Sequence, residues 1–302
     1  MKLKRILRLT HEERVTLARP AIIAISIFGV TLLLVLTGVI NPLDQALVTD
    51  LRHLHPWTDH FFKVTESPGQ RRFVYPLAIL LSVVFTVRRR DLLPTITAVS
   101  ALLFTNAVTG IFKIVTLRGF PRTSGPQAWN ADFGSLNNIA SNLGAFPSGH
   151  AANIAAASTL MVLAAYSARP KYRPYATHIT VITGVICAIT FVSSWLRDTH
   201  WFSDLVGGLT LGVATTIAAA LWSTHLPDHW RHPELAGHPR LAIGGVGVVT
   251  LAFIFMFAGN SFLSHSGTSA VMVLATGVVI ARQSHQGIQR AKARRQAGEE
   301  QS

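Results

Sequence analysis

Apolar stretches long enough to cross a lipid bilayer recur along this chain, and they constrain its fold more than any other feature. They fall at roughly 21–40, 74–87, 95–117, 151–166, 177–194, 203–222, 241–259 and 267–281, the second and eighth being short. A helix needs about 20 apolar residues to span the hydrocarbon core, and it satisfies its own backbone polar groups where lipid cannot. Eight such stretches in 302 residues leave no room for a large soluble domain. Composition agrees, because 49% hydrophobic and 14% charged residues are too apolar a mixture for a soluble surface of this size. The expected fold is therefore a single all-α integral membrane domain.

The net charge of +13 raises the question of a nucleic-acid partner. The charges do not form a binding stripe. They cluster at Lys2 to Arg19, Arg88 to Arg90, Arg169 to Arg173, Arg231 and Arg240, and in a tail from Arg282 to Arg295. With eight spans all these segments fall on one side, which the positive-inside rule makes cytoplasmic, with both termini there. The charge is thus a topology signal, and no nucleic acid is expected as a partner. The first apolar stretch follows a basic region but is as long as a bilayer and lacks a clear cleavage site, so it reads as an uncleaved anchor. Cys187, the single cysteine, lies inside an apolar span and reads as a packed thiol.

Three connecting segments stand out. Residues 41–73 carry Leu51, Leu54, Trp57, Phe61 and Phe62 at helical spacing, which predicts a short amphipathic helix at the interface. Its His53, His55 and His60 lack a supporting carboxylate or cysteine pattern and read as interfacial polar residues rather than metal ligands. Residues 119–147 form a loop rich in Gly, Asn and Ser. Residues 223–240, broken by Pro227, Pro233 and Pro239, read as a cytoplasmic connector, which keeps its histidines away from those on the outer side.

The chemistry-bearing residues lie in three islands that this topology brings to the non-cytoplasmic side. Lys113 and Arg118 end the third span, Pro147-Ser148-Gly149-His150 opens the fourth, and His200 and Asp204 stand between the fifth and sixth. A cationic, histidine-bearing site there suits an anionic headgroup, above all a phosphate. Ser148 and Gly149 precede a helix, whose first amides and dipole favour an anion, and Gly149 permits close backbone approach. His200 and Asp204 are four apart and share a face if helical. The carboxylate can orient the imidazole and stabilise its positive charge, leaving the other nitrogen to attack phosphorus. His150 can protonate the leaving oxygen, while Lys113 and Arg118 neutralise phosphoryl charge. This chemistry calls for no metal and no cofactor. Singly, each of these residues has a structural reading as a cap, a helix entry or a snorkelling lysine; their joint placement argues for one site.

Together the segments resemble the type 2 phosphatidic acid phosphatase family, which includes lipid phosphate phosphatases and undecaprenyl-diphosphate phosphatases. That family has three signatures: Lys, six residues, then Arg-Pro; Pro-Ser-Gly-His; and Ser-Arg, five residues, His, three residues, Asp. The second is complete at Pro147 to His150, the third matches at Ser193, His200 and Asp204, and the first matches at Lys113 and Pro121. The resemblance covers about residues 20–222 and implies a six-helix phosphatase-like core over 21–222. Around that core it leaves a basic N-terminus (1–20), the connector (223–240), two additional C-terminal transmembrane helices (241–281) and a basic tail (282–302). It also implies His200 as nucleophile, Asp204 as its orienting partner and His150 as acid, with Lys113, Ser148 and Gly149 on phosphate.

Two signature arginines are replaced, by Phe120 and Ser194. Arg118, Arg122 and Arg197 lie close in sequence to the vacated positions and are the candidates to supply the missing charge. The implied function is a phosphatase for a phosphomonoester or diphosphate lipid in a bacterial-type inner membrane, acting through a phosphohistidine. A lipid phosphotransferase using the same histidine and a non-catalytic lipid-phosphate-binding protein are the alternatives. Retention of His150, His200 and Asp204 argues against the last, because binding alone needs no dyad.

Overall fold

Six long helices occupy the six apolar stretches of residues 21–222 in the computed structural model: α1 (His11–Leu36), α4 (Arg71–Arg89), α5 (Leu93–Thr116), α6 (Gly149–Tyr166), α7 (Pro174–Leu196) and α8 (Phe202–Ser223). Two shorter helices, α2 (Asn41–Ala46) and α3 (Pro56–Glu66), and a 3₁₀ turn at Ser67–Gly69 lie between α1 and α4. The structure describes residues 11–49, 56–89, 91–121, 125–129, 144–166 and 174–226. The two C-terminal stretches at 241–259 and 267–281, most of the connector and the loop at 119–147, Arg122, and His53 and His55 lie outside the described residues. Among the described residues there is no strand.

Four of the six long helices are long and apolar enough to cross a membrane: Val15–Leu36, Leu93–Thr116, Pro174–Leu196 and Phe202–Ser223. The other two differ for physical reasons. The apolar part of α4 is short, at Phe73–Thr86. Helix α6 is the inner helix of the bundle, packed against α8, α7, α5 and α4, so it needs small residues rather than a lipid-facing surface. Ala151, Ala152, Ala155, Ala156 and Ala157 are all buried. Lipid-type surfaces appear instead on α1 and α7, where Ile22, Ile23, Leu33, Val181, Ile182 and Val185 point outward.

The seam between α6 and α8 is made by glycine. A Cβ on Gly208 would lie 2.4 Å from Ser148 O, and one on Gly212 would lie 2.3 Å from Ala152 O. This is the small-residue spacing that lets membrane helices approach backbone to backbone. Hydroxyl and amide pairs join other helices: Thr105 to Thr215 at 2.7 Å, Thr97 to Ser223 at 2.7 Å, and Tyr75 to Asn153 at 2.8 Å. In an apolar medium such groups must find partners, and here they find them on neighbouring helices.

The chain direction of these helices brings the ends of α1, α5 and α7 and the starts of α4, α6 and α8 to one end of the bundle, where α3 packs on α7 and Asp44 of α2 accepts from Ser203 N at the start of α8. The expected amphipathic segment takes shape as α3, with Trp57 and Phe61 exposed and Glu66 turned inward at 2% exposure.

Candidate active site

His200 lies in the turn between α7 and α8. Asp198 adopts φ +49, in the left-handed region, and its carboxylate accepts from the backbone N–H and hydroxyl of Thr49, both at 3.3 Å. That anchor reaches across 149 residues to fix the turn. His200 therefore precedes α8 rather than lying on it, yet its Nδ1 still comes within 3.6 Å of Asp204 Oδ2. The separation is longer than a hydrogen bond, and Nδ1 is buried without another partner. Catalytic contacts are often loose before substrate binds.

Asp204 is fully buried at the third position of α8, where Oδ2 accepts the Trp201 N–H at 3.0 Å and caps the helix. Its Oδ1 accepts from Arg118 Nη1 at 2.6 Å. Its main-chain carbonyl accepts from the Ser148 N–H at 2.9 Å, which ties the start of α6 directly to the histidine–carboxylate pair. His150 projects from the first turn of α6, its ring centroid 6.2 Å from that of His200. Of the two histidines His150 is the more accessible, with 30% of its side chain exposed.

Lys113, in the last turn of α5, donates to Gly144 O at 2.6 Å and lies 5.8 Å from the Phe120 ring centroid. Phe120 in turn packs 5.7 Å from the His200 ring. A Cβ on Gly144 would meet Arg118 N at 2.8 Å and Lys113 O at 2.9 Å, so only glycine lets this loop close onto the end of α5. The Ser148 hydroxyl is buried and accepts from the Ala151 N–H at 3.4 Å, as a helix cap does. Gly149 opens α6 without a close neighbour. A Cβ there would meet no protein atom within 4 Å, so its smallness serves no contact within the chain.

Arg118 is not at the site mouth. It is fully buried, and its nitrogens are committed to Pro126 O (2.7 Å), Ser203 Oγ (2.6 Å), Asp204 Oδ1 (2.6 Å) and Asp44 Oδ2 (2.5 Å). Two buried carboxylates absorb the charge expected to meet phosphate, and the guanidinium holds Asp204. Arg197, just beyond α7, is likewise engaged, by Glu66 Oε2 at 2.5 Å and Asp59 Oδ1 at 3.1 Å. Burial opposes its charge, but the hydrogen bonds and field of these carboxylates outweigh it and raise its pKa above the ordinary arginine value. Arg197 is thus paired rather than directed at an incoming anion.

Sequence reading missed the carboxylates that do this. Asp44 also accepts from Ser203 N at 3.0 Å and Ser203 Oγ at 2.6 Å. Glu66 stands between the two halves of the site, 3.8 Å from His150 Nε2 and accepting from Thr199 Oγ1 at 3.2 Å. The available signal was their chemistry: a carboxylate beside an apolar span must find a partner.

Residues 94–228 match the family model described as PAP2 superfamily. No curated protein sequence matches the chain significantly. Among solved structures the chain resembles a transmembrane PAP2-type phosphatidylglycerolphosphate phosphatase from Bacillus subtilis, at 19% identity and a TM-score of 0.54. That likeness covers 66% of this chain and 94% of the other, and it extends to the helical fold. Asp44, Asp59 and Glu66 fall before the matched segment. The matched segment carries Lys113, His150, His200 and Asp204, and the superfamily it matches is the one whose signatures those residues resemble.

Proposed function

We propose that this protein is a membrane phosphatase that hydrolyses a phosphorylated lipid at the non-cytoplasmic face, with His200 as nucleophile. The observation that carries the reading is the facing pair of histidines, 6.2 Å apart, at one end of an apolar bundle, with one of them 3.6 Å from a buried carboxylate. The lipid enters laterally, its tails among the helices and its headgroup at the bundle end. His200 Nδ1 faces Asp204, which leaves Nε2 to attack. Nε2 forms a bond to phosphorus as the ester or anhydride P–O bond breaks, and His150 gives a proton to the departing oxygen. Water then attacks phosphorus, with His150 taking its proton, and the P–N bond breaks to release phosphate. Asp204, held by Arg118, stabilises the positive charge on His200 in both steps. Lys113 and the amides that follow Ser148 stabilise the phosphoryl oxygens. All of this charge stabilisation comes from side chains and helix amides, so the mechanism runs without a metal.

Phosphate release from a panel of lipid phosphates, including phosphatidic acid, phosphatidylglycerophosphate and an isoprenyl diphosphate, tests the reading. Wild type is expected to act on at least one, and His200→Ala to lose at least about a thousandfold in kcat, as loss of a nucleophile does. Equal release by both proteins removes His200 from the mechanism. Transfer of the phosphoryl group to an added lipid alcohol instead of water identifies the phosphotransferase.

A further inference from the structure

With Arg118 and Arg197 each engaged by carboxylates, and Phe120 and Ser194 uncharged, Lys113 needs another cation to hold a phosphoryl group. Arg71 has the position for it. It opens α4 two residues after Gly69, where a Cβ would lie 2.8 Å from His150 O and 3.0 Å from His150 Cβ. The turn that leads into Arg71 therefore touches the histidine itself. Tyr75 lies one helical turn further on the same face of α4. It donates to Asn153 Oδ1 at 2.8 Å and accepts from Asn106 Nδ2, so this face meets α6 and α5. Asn153 stands one turn deeper in α6 than His150, which sets Arg71 near the level of His150.

The charge of Arg71 reaches both His150 and Lys113. Among the described residues no carboxylate lies within ion-pair distance of Arg71 and no group hydrogen-bonds its half-buried side chain. That sets it apart from Arg118 and Arg197, both neutralised at 2.5 Å. The open space at Gly149 adjoins the same histidine.

We propose that the Arg71 guanidinium binds phosphoryl oxygens beside His150, together with Lys113, and so supplies the planar two-pronged donor that Phe120 and Ser194 do not. The ligand is a phosphate oxyanion, whether a lipid headgroup or inorganic phosphate. Only the choice of lipid as its source rests on the phosphatase reading above. Arginine suits the role because its fork matches two phosphoryl oxygens at once.

The test uses the purified full chain in phosphatidylcholine nanodiscs. Inorganic phosphate is titrated calorimetrically into wild type, Arg71→Gln and Arg71→Lys, and kinetics are followed with the lipid phosphate that wild type prefers. Arg71→Gln is expected to raise the phosphate Kd and the KM by roughly 10- to 100-fold, the range for losing a hydrogen bond to a charged group. Arg71→Lys should fall between, with the melting temperature unchanged in the absence of phosphate. An Arg71→Gln protein with wild-type Kd and KM overturns the proposal, even where lipid hydrolysis upholds the phosphatase. Phosphate binding that depends on Arg71 without hydrolysis of any lipid upholds the proposal and removes the phosphatase. Should Arg71→Gln not fold, wild type is treated with phenylglyoxal and its peptides are weighed. Phosphate is expected to protect Arg71, and equal modification with and without it overturns the proposal.

Discussion

At the scale of single residues, the site depends on which charges neutralise one another. Arg118 would be an expensive buried cation on its own, and Asp44 and Asp204 make it tolerable while it holds Asp204 toward His200. Removing either carboxylate leaves part of that charge unpaired. Asp44→Ala is expected to cost about 3–5 kcal/mol of stability, the range for breaking a buried ion pair, with Asp44→Asn milder because it keeps the shape. Thermal melts of the detergent-purified variants check this, and an unchanged Tm for Asp44→Ala would remove the structural role. The same residues show how far the chain could be read without its structure. Lys113, His150, His200 and Asp204 stood out because their spacing follows a known pattern. Asp44, Asp59 and Glu66 did not, since no local pattern marks a carboxylate whose partner lies 74, 138 or 131 residues away.

At the scale of elements, two helices set the distance between the histidines. Helix α6 carries His150 and α8 follows His200, and both are drawn together where Gly208 and Gly212 face Ser148, Ala151, Ala152 and Ala155. Anything larger than hydrogen on Gly212 must push against the Ala152 carbonyl, a backbone atom that cannot swing away. Gly212→Leu is therefore expected to destabilise by at least the roughly 1–3 kcal/mol of an overpacked core. It should also reduce kcat per folded molecule, because the wedge separates the two histidines. Circular dichroism melts and phosphate release on the same preparation separate the effects, and full activity with a wild-type Tm would mean the seam does not govern the site. The length of the apolar stretches located both elements, with boundaries within a few residues. It did not indicate which apolar helix would be the inner one, although the alanine richness of α6 carries that information.

At the scale of the whole molecule, every group of the candidate site lies at one end of the bundle, opposite the start of α7. If the basic segments are cytoplasmic, that end faces outward. In a Cys187→Ala background, a cysteine at Trp57 on α3 should react in intact cells with a membrane-impermeant maleimide, while one at Tyr175 should react only after lysis. Both positions are well exposed, at 65% and 62%, so labelling reports sidedness rather than burial. The reverse pattern would invert the topology and place the site in the cytoplasm. The sequence by itself determined the helical membrane class and the identity of the histidine pair, because hydropathy and motif spacing are local properties that survive without coordinates. Only the tertiary structure decided which arginines keep their charge for a ligand. Arg118 and Arg197 lie beside the signature positions in sequence and are consumed by distant carboxylates, whereas Arg71, far from any motif, follows the turn that touches His150. Charge neutralisation acts through space at a few ångströms, and the chain order of these residues does not encode it.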